Sequence, residues 1–468
     1  MIQKCLIIAA GQGSRIQENR HNLPKPLLPL CGLTLLERNI LCAKKAGIRE
    51  FFIVIGFRGN EIKAALNPEK LGVQITFIEN SDWDKPNGVS VLKAEPFLQE
   101  SFVLLMSDHI FQPEALADLI KEPLPARTVR LAVDPRLETI FDMEDATKVQ
   151  HKENRIQSIG KNLDSFNAVD TGLFACTPAM FEVLHQASQT KPPSLTDGMK
   201  ILSKEGRLHA HPLTKFYWQD VDTPESYRYA GKMLLQSCRK QTDGVVSRNF
   251  NRTISLFVSK WLVRTPISAN VITVLTTLLG LSTYVLMATG QYFWMSLGAI
   301  VFKLVSVLDG VDGEIARLKM TQSKLGAWLD TLSDNATYIA FLFGLFVGLR
   351  HRGHIYWYNF TVTTTVVGIL LALITVAVYV HRNTGSGSLV DIKGAIRTPW
   401  ILKFFGPLMK RDLFSVLFLV AALLNMPEAI LYMTLLGTNA TWIIVWAQKP
   451  DLFSRQPVEA EAKTKPIL

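Results

Sequence analysis

"LDGVDGEIARLKMTQSKLGAWLDTLSD" occupies residues 308–334 and sets four aspartates, Asp309, Asp312, Asp330 and Asp334, beside two very apolar stretches. Upstream lies "QYFWMSLGAIVFKLVSVL" (291–308) and downstream "ATYIAFLFGLFVGL" (336–349). A carboxylate near hydrocarbon is expensive and marks a functional position when it persists. The spacing is Asp309-x2-Asp312-Gly313-x2-Ala316-Arg317-x8-Gly326-x3-Asp330-x3-Asp334. Steps of three and four place each pair of aspartates on one helix face. Two such helices facing each other close a ring of carboxylates around a divalent metal, whose charge removes the cost of packing like charges together. Gly313 and Gly326 permit close approach of backbone or ligand. The alternative, aspartates that merely cap helices at an interface, leaves their cost within a span uncompensated.

The surrounding chain has two characters. Residues 1–240 read as an ordinary soluble protein, whereas long uncharged runs follow residue 269. Six membrane spans are expected, near 269–289, 291–308, 326–349, 355–380, 413–426 and 429–447, the fifth being short. "MIQKCLIIAAGQGSR" carries only a brief apolar run before a glycine loop, so a signal peptide is not expected. Arg317, Lys319 and Lys324, then Arg382, Lys393, Arg397, Lys403, Lys410 and Arg411, crowd alternate loops, with only Arg350 and Arg352 opposite them, so both termini are expected in the cytoplasm of a multi-pass cell-membrane (inner-membrane) protein. A net charge of +10 suits an anionic lipid surface and phosphorylated substrates better than nucleic acid. The five cysteines lack metal spacing and are expected as free thiols.

In the first half, apolar runs such as "KCLIIAA" (4–10), "FFIVIG" (51–56) and "SFVLLMSD" (101–108) alternate with helical patterns. That order predicts an α/β domain with a mostly parallel, Rossmann-like mixed sheet and a ligand beyond the strand ends, at Gly11 and Asp108. The domain is expected over 1–235. A linker and amphipathic helix are expected over 236–266, with Ile254, Phe257, Val258, Trp261 and Leu262 on one face of a helix that lies on the membrane or packs as an ordinary core helix. An all-α membrane domain (267–448) and a loose cytoplasmic tail (449–468) follow.

"LIIAAGQGSRIQENRHNLPKPLLPL" (6–30) runs from a strand into a glycine turn, where Gly11 and Gly13 let backbone N–H groups approach a phosphate and Arg15 and Lys25 neutralise it. With "PKPLLPL", this stretch resembles the sugar-phosphate nucleotidyltransferases. The resemblance covers about residues 1–230 and implies nucleotide contacts at Ala9, Ala10, Gly11 and Gly13, with Arg15 and Lys25 as catalytic cations. It implies Mg²⁺ at Asp108 of "LLMSDHI" and Asp222 of "YWQDVDTPESY", where Asp220 also stands. It further implies base contacts from Asn80, Asn87, Gly88 and Ser90, and acceptor contacts from Lys161 and Asp170.

The aspartate pattern of residues 309–334 resembles the signature of the CDP-alcohol phosphotransferases at every fixed position, and that likeness extends over roughly 245–448. It implies metal ligation by Asp309, Asp312, Asp330 and Asp334, with Asp334 also the general base, and binding of the cytidine diphosphate by Gly313, Arg317 and Ser323. If the acceptor carries a phosphate, Arg382, Lys393 and Arg397 are candidates to bind it, though they equally serve topology. The two halves together resemble the family of inositol-1-phosphate cytidylyltransferases fused to di-myo-inositol phosphate phosphate synthases. That likeness implies Mg²⁺ (or Mn²⁺) in both domains and CTP, inositol 1-phosphate and CDP-inositol as substrates. It also implies membrane lipids around a homodimer formed through the membrane domain. Two other readings stay open: the same chemistry with another alcohol phosphate or a lipid acceptor, and a non-catalytic sensor in front of a transferase.

Overall fold

The computed structural model describes residues 2–19, 23–239, 246–353, 357–384 and 411–448. They group into two compact units. The first holds residues up to Cys238 with Val263–Thr265 and Arg317–Thr321; the second holds Arg239–Leu262, Pro266–Ala316 and the chain from Gln322.

Short β-branched and aromatic runs build the first unit, as strands buried on both faces require. They form β1 (Lys4–Ala9), β2 (Glu50–Ile55), β3 (Gln74–Glu79), β4 (Phe102–Met106), β5 (Val129–Asp134), β6 (Lys148–Lys152), β7 (Arg155–Gly160), β8 (Ala168–Cys176) and β9 (Leu208–Pro212). These give one sheet in the order β3-β2-β1-β4-β8-β5-β9-β7-β6. β1 runs parallel to β2 and β4, with Leu6 opposite Phe52 and Leu104, while β8 runs antiparallel to β4 and β5. The sheet is mixed as expected, but it is not mostly parallel: the β4–β8, β8–β5, β9–β7 and β7–β6 pairings are antiparallel, because β8 and β7 each run against both of their neighbours. Alternation along β1 sends Leu6 and Ile8 to one core and Cys5 and Ile7 to the other. Helices α1 (Leu35–Lys45), α2 (Asn87–Leu92), α3 (Ala179–Ser188), α4 (Leu195–Lys204) and α5 (Pro224–Ser237) pack around the sheet; α1 and α4 open with capping boxes, Thr34–Glu37 and Ser194–Asp197. β1 and β4 end side by side, so the glycine loop and Asp108 emerge at the same sheet edge.

In the second unit a π-turn (Ser247–Asn251) leads into α6 (Arg252–Leu262). Then come α7 (Ala269–Ala288), α8 (Tyr292–Leu318), α9 (Lys324–Arg352), α10 (Tyr358–Thr384), α11 (Arg411–Leu423) and α12 (Pro427–Gln448). Each expected span falls on a helix, but among the described residues only α7, α8 and α9 are long and apolar enough to cross a membrane. α11 has 13 residues, about 20 Å at ~1.5 Å per residue, against a hydrocarbon core of about 30 Å. The bundle has an apolar core around Phe302, Phe341 and Phe418, but α7 is inverted relative to a helix of a soluble protein: Thr273, Thr276 and Thr283 are buried while Leu275, Leu278 and Val285 are exposed. α7 and α9 approach closely at small residues, where a Cβ on Gly344 would meet the Tyr284 carbonyl at 2.6 Å and one on Gly348 would overlap that of Met287. α6 shows the same inversion. Ile254, Phe257 and Trp261 are exposed, whereas Arg252, Ser255 and Ser259 are buried. An ordinary packed amphipathic helix has the opposite arrangement.

Two candidate active sites

The glycine loop leaves β1 at Ala9, and Ala9 and Ala10 are buried at its root. Gly13 has φ +62°, and a Cβ there would sit 2.7 Å from the Lys25 Cβ, so the turn folds tightly over that side chain. Lys25 is held in a short 3₁₀ turn (Lys25–Leu27) with its side chain only 7% exposed. Its Nζ donates to Asp108 Oδ2 at 2.6 Å and also to Asp222. Arg15 joins the cluster through Nη2 to Asp222 (2.5 Å) and Nη1 to Asp145 (2.6 Å), and Lys161 donates to the other oxygen of Asp145. Burial alone would depress the Lys25 ammonium, but the Asp108, Asp222 and Asp220 carboxylates outweigh it and hold the lysine charged. Burial opposes ionisation of Asp108, and Lys25 and His109 reverse that, keeping it below the ordinary carboxylate range. Asp220 goes the other way: burial raises it, and the Asp108 and Asp222 charges add to the rise.

Two cavities adjoin this cluster. The smaller, about 330 Å³, is lined by Gly11, Gly13, Lys25, Trp83, Asn87 and Ser90. The larger, about 490 Å³, takes in Lys161, Asp170, Asp145, Asp142, Phe141 and Tyr229. Arg15, Asn87, Met106, Asp108 and Asp222 line both, so two ligands placed in them meet at these five residues. A site with cations and carboxylates at such a junction suits phosphoryl transfer between two anions.

The four residues expected near the base divide. Asn87 and Ser90 face the smaller cavity, with Asn87 Oδ1 also accepting from the Leu195 N–H (2.9 Å). Asn80 lies buried behind Ser90, donating to its hydroxyl at 2.9 Å. Gly88 packs under the Pro193 carbonyl, 2.5 Å from where a Cβ would stand, so helix packing explains that glycine. Among the described residues, the ligand atoms close enough to share an ion here are a carboxylate oxygen each from Asp108 and Asp220 and a ring nitrogen of His109, within 4.8 Å of one another; Asp222 instead meets Asp108 through Lys25. Sequence reasoning missed His109, which follows Asp108 directly, and Asp145.

In the second unit α8 and α9 bring Asp309, Asp330 and Asp334 together, one carboxylate oxygen from each lying within 4.8 Å of the others. Three hard oxygen donors so placed fit a divalent cation. Asp312 departs from the group. It is buried and accepts from Thr273 Oγ1 of α7 and from the Gly313 N–H, each at 2.5 Å. Ser323 caps α9, its Oγ accepting from the Gly326 N–H at 3.0 Å. Arg317 donates through Nη2 to the Cys238 carbonyl (3.2 Å), and its Nε is buried without a hydrogen-bond partner. Lys393 and Arg397 lie outside the described residues; Arg382 is on α10, and its side chain is not described. Behind the motif, Glu314 is fully buried and accepts from Arg252 Nη1 (2.7 Å), Ser255 Oγ (2.7 Å) and Ser259 Oγ (2.6 Å), tying α6 to α8.

Residues 266–448 match the family described as CDP-alcohol phosphatidyltransferase, and residues 5–141 match the MobA-like NTP transferase domain. The "Bifunctional IPC transferase and DIPP synthase" of Aquifex aeolicus (strain VF5) is 36% identical over 353 residues, covering 75% of this chain and 78% of that one. The protein of the same name from Rubrobacter xylanophilus is 35% identical over 348 residues, covering 74% and 77%. The chain belongs to this bifunctional family. Among solved structures, the inositol-1-phosphate CTP transferase from T. maritima is 27% identical, covering 50% of this chain and 96% of that one with a TM-score of 0.45. As a bifunctional IPC transferase and DIPP synthase family member, the chain is an enzyme that joins a nucleotidyltransferase domain to a CDP-alcohol phosphotransferase domain, and its apolar helices make it membrane-associated.

Proposed function

We propose that the chain carries out two consecutive transfers. In the first unit, a phosphate oxygen of inositol 1-phosphate attacks the α-phosphorus of CTP, giving CDP-inositol and pyrophosphate. The smaller cavity takes the nucleotide and the larger one the alcohol phosphate, and the observation that carries this is their junction at Arg15, Asn87, Asp108 and Asp222. Lys25 and Arg15 stabilise the negative charge that builds on the leaving pyrophosphate. Asp108 with Asp222 or Asp220 would hold Mg²⁺ or Mn²⁺, which supplies further positive charge when bound.

In the second unit a hydroxyl of another inositol 1-phosphate attacks the inositol-bearing phosphorus of CDP-inositol, and CMP leaves. Asp334 takes the hydroxyl proton, since it reaches the same small space as Asp309 and Asp330. Asp309, Asp330 and Asp334 would hold the cation that neutralises the pyrophosphate bridge. Asp312, anchored on Thr273, fixes the rotation of α8.

The reading extends to topology: the positively charged loops face the cytoplasm, and α6 rests on the cell membrane with Ile254, Phe257 and Trp261 toward lipid. The test is pyrophosphate release from CTP with a panel of alcohol phosphates. Release is expected with inositol 1-phosphate; release only with a different alcohol phosphate moves the substrate assignment, and none with any member refutes the first step.

A further inference from the structure

Asp145 stands in the loop between β5 and β6 and lines the larger cavity. Its two oxygens go to two different cations, Oδ2 to Arg15 Nη1 at 2.6 Å and Oδ1 to Lys161 Nζ. Those cations come from distant parts of the chain, Arg15 from the glycine loop and Lys161 from just beyond β7. Arg15 and Lys161 are 55% and 56% exposed and Asp145 is 32% exposed, so both pairs stay in contact with water. Burial alone would raise the Asp145 carboxyl, yet the hydrogen bonds from Lys161 and Arg15 hold it below the ordinary range, so it is a full anion near neutral pH.

A carboxylate bridging two cations presents them with two oxygens and one negative charge. A phosphate monoester presents three oxygens and nearly two charges, and forms the stronger charge-assisted hydrogen bonds. Solvent-accessible ion pairs are weak and exchange readily for such a ligand. Arg15 also lies at the junction of the two cavities, where the acceptor's phosphate must stand to meet the nucleotide.

We propose that Asp145 is an internal stand-in for the acceptor's phosphate group. It keeps Arg15 and Lys161 paired and correctly spaced in the empty cavity, and an incoming alcohol phosphate displaces it. A neutral polyol does not displace it, so the residue sets a charge threshold that separates phosphorylated alcohols from free ones. The proposal rests on the reading of the larger cavity as the alcohol phosphate site.

The test uses the full chain in detergent. Calorimetry measures binding of inorganic phosphate, which has no hydroxyl groups of a polyol to complicate the result, and pyrophosphate release gives the KM for inositol 1-phosphate at saturating CTP. D145N is expected to tighten phosphate binding and lower that KM, each by about three- to tenfold. D145S carries the same expectation should D145N fold poorly. E144Q removes the same charge one residue away, at an exposed position that does not line the cavity, and is expected to change neither. Unchanged or weaker phosphate binding in D145N overturns the proposal, as does an equal gain in E144Q. Failure of the substrate reading is distinguishable: wild type then releases no pyrophosphate with inositol 1-phosphate, while the phosphate-binding comparison still decides the role of Asp145.

Discussion

Replacing Lys25 by alanine removes a cation from between Asp108 and Asp222, whose side chains are 27% and 18% exposed against 7% for the lysine. Deleting one partner of a buried ion pair costs about 3–5 kcal/mol. Both carboxylates here keep some access to water, which relieves part of the loss, so about 2–3 kcal/mol is expected in the presence of a chelator. At roughly 2–4 °C per kcal/mol for a domain of this size, the unfolding transition of the first unit falls by about 4–12 °C. Mg²⁺ should recover part of that shift by neutralising the same carboxylates. Pyrophosphate release should fall about 10²–10³-fold, the usual loss when a group stabilising transition-state charge is removed. CMP release from supplied CDP-inositol, measured on the same sample, should persist. An unchanged transition in chelator would refute the electrostatic argument. Equal loss of both activities would refute the assignment of Lys25 to the first reaction alone.

Two further outcomes follow from buried groups. Glu314→Ala leaves the Arg252 guanidinium, 8% exposed, without its 2.7 Å partner and should destabilise the membrane unit by about 3–5 kcal/mol; Glu314→Leu with Arg252→Met should recover most of it, and detergent-solubilised thermal unfolding that shows no recovery would contradict the pairing. Asp170 is pushed up to about 6 by burial, partly offset by the Gly172 N–H it accepts from and by His109. Its folded value lies above the unfolded one near ~3.9, so its stabilising contribution is complete below about pH 4 and is lost as pH rises through about 6. Asp170→Asn should flatten stability across that window, and an unaltered pH slope would show that the carboxyl titrates normally.

Much of both sites was legible because helical and strand periods are fixed. Spacings of three and four are enough to put Asp330 and Asp334 on one face of α9, and Asp309 joins them from α8. Likewise an apolar run ending in glycine or aspartate places Gly11 and Asp108 at neighbouring strand ends. What the sequence did not disclose depends on partners distant along the chain. Asp312 has the same local pattern as its fellow aspartates, yet a threonine of α7 claims its carboxylate. Gly88 looks like a ligand-approach glycine and serves packing against Pro193. Asp145 sits in an acidic surface run, "FDMEDATK", with no periodic or motif signal; only the fold brings Arg15 to it across 130 residues. For α11, an apolar composition suggests a span, and the 13 described residues of the helix are fewer than a typical hydrocarbon core needs.

We propose that one chain makes CDP-inositol and then consumes it, with Asp334 as the base of the second step alone. The direct measurement incubates Asp334→Asn with CTP, inositol 1-phosphate and Mg²⁺, and quantifies pyrophosphate, CDP-inositol and CMP together. Loss of a general base costs about 10²–10⁴ in rate. Pyrophosphate and CDP-inositol are expected to accumulate in equal amounts while CMP release nearly stops, whereas wild type turns the CDP-inositol over to CMP. CMP release at the wild-type rate, or a variant that makes no CDP-inositol although wild type does, would contradict the proposal.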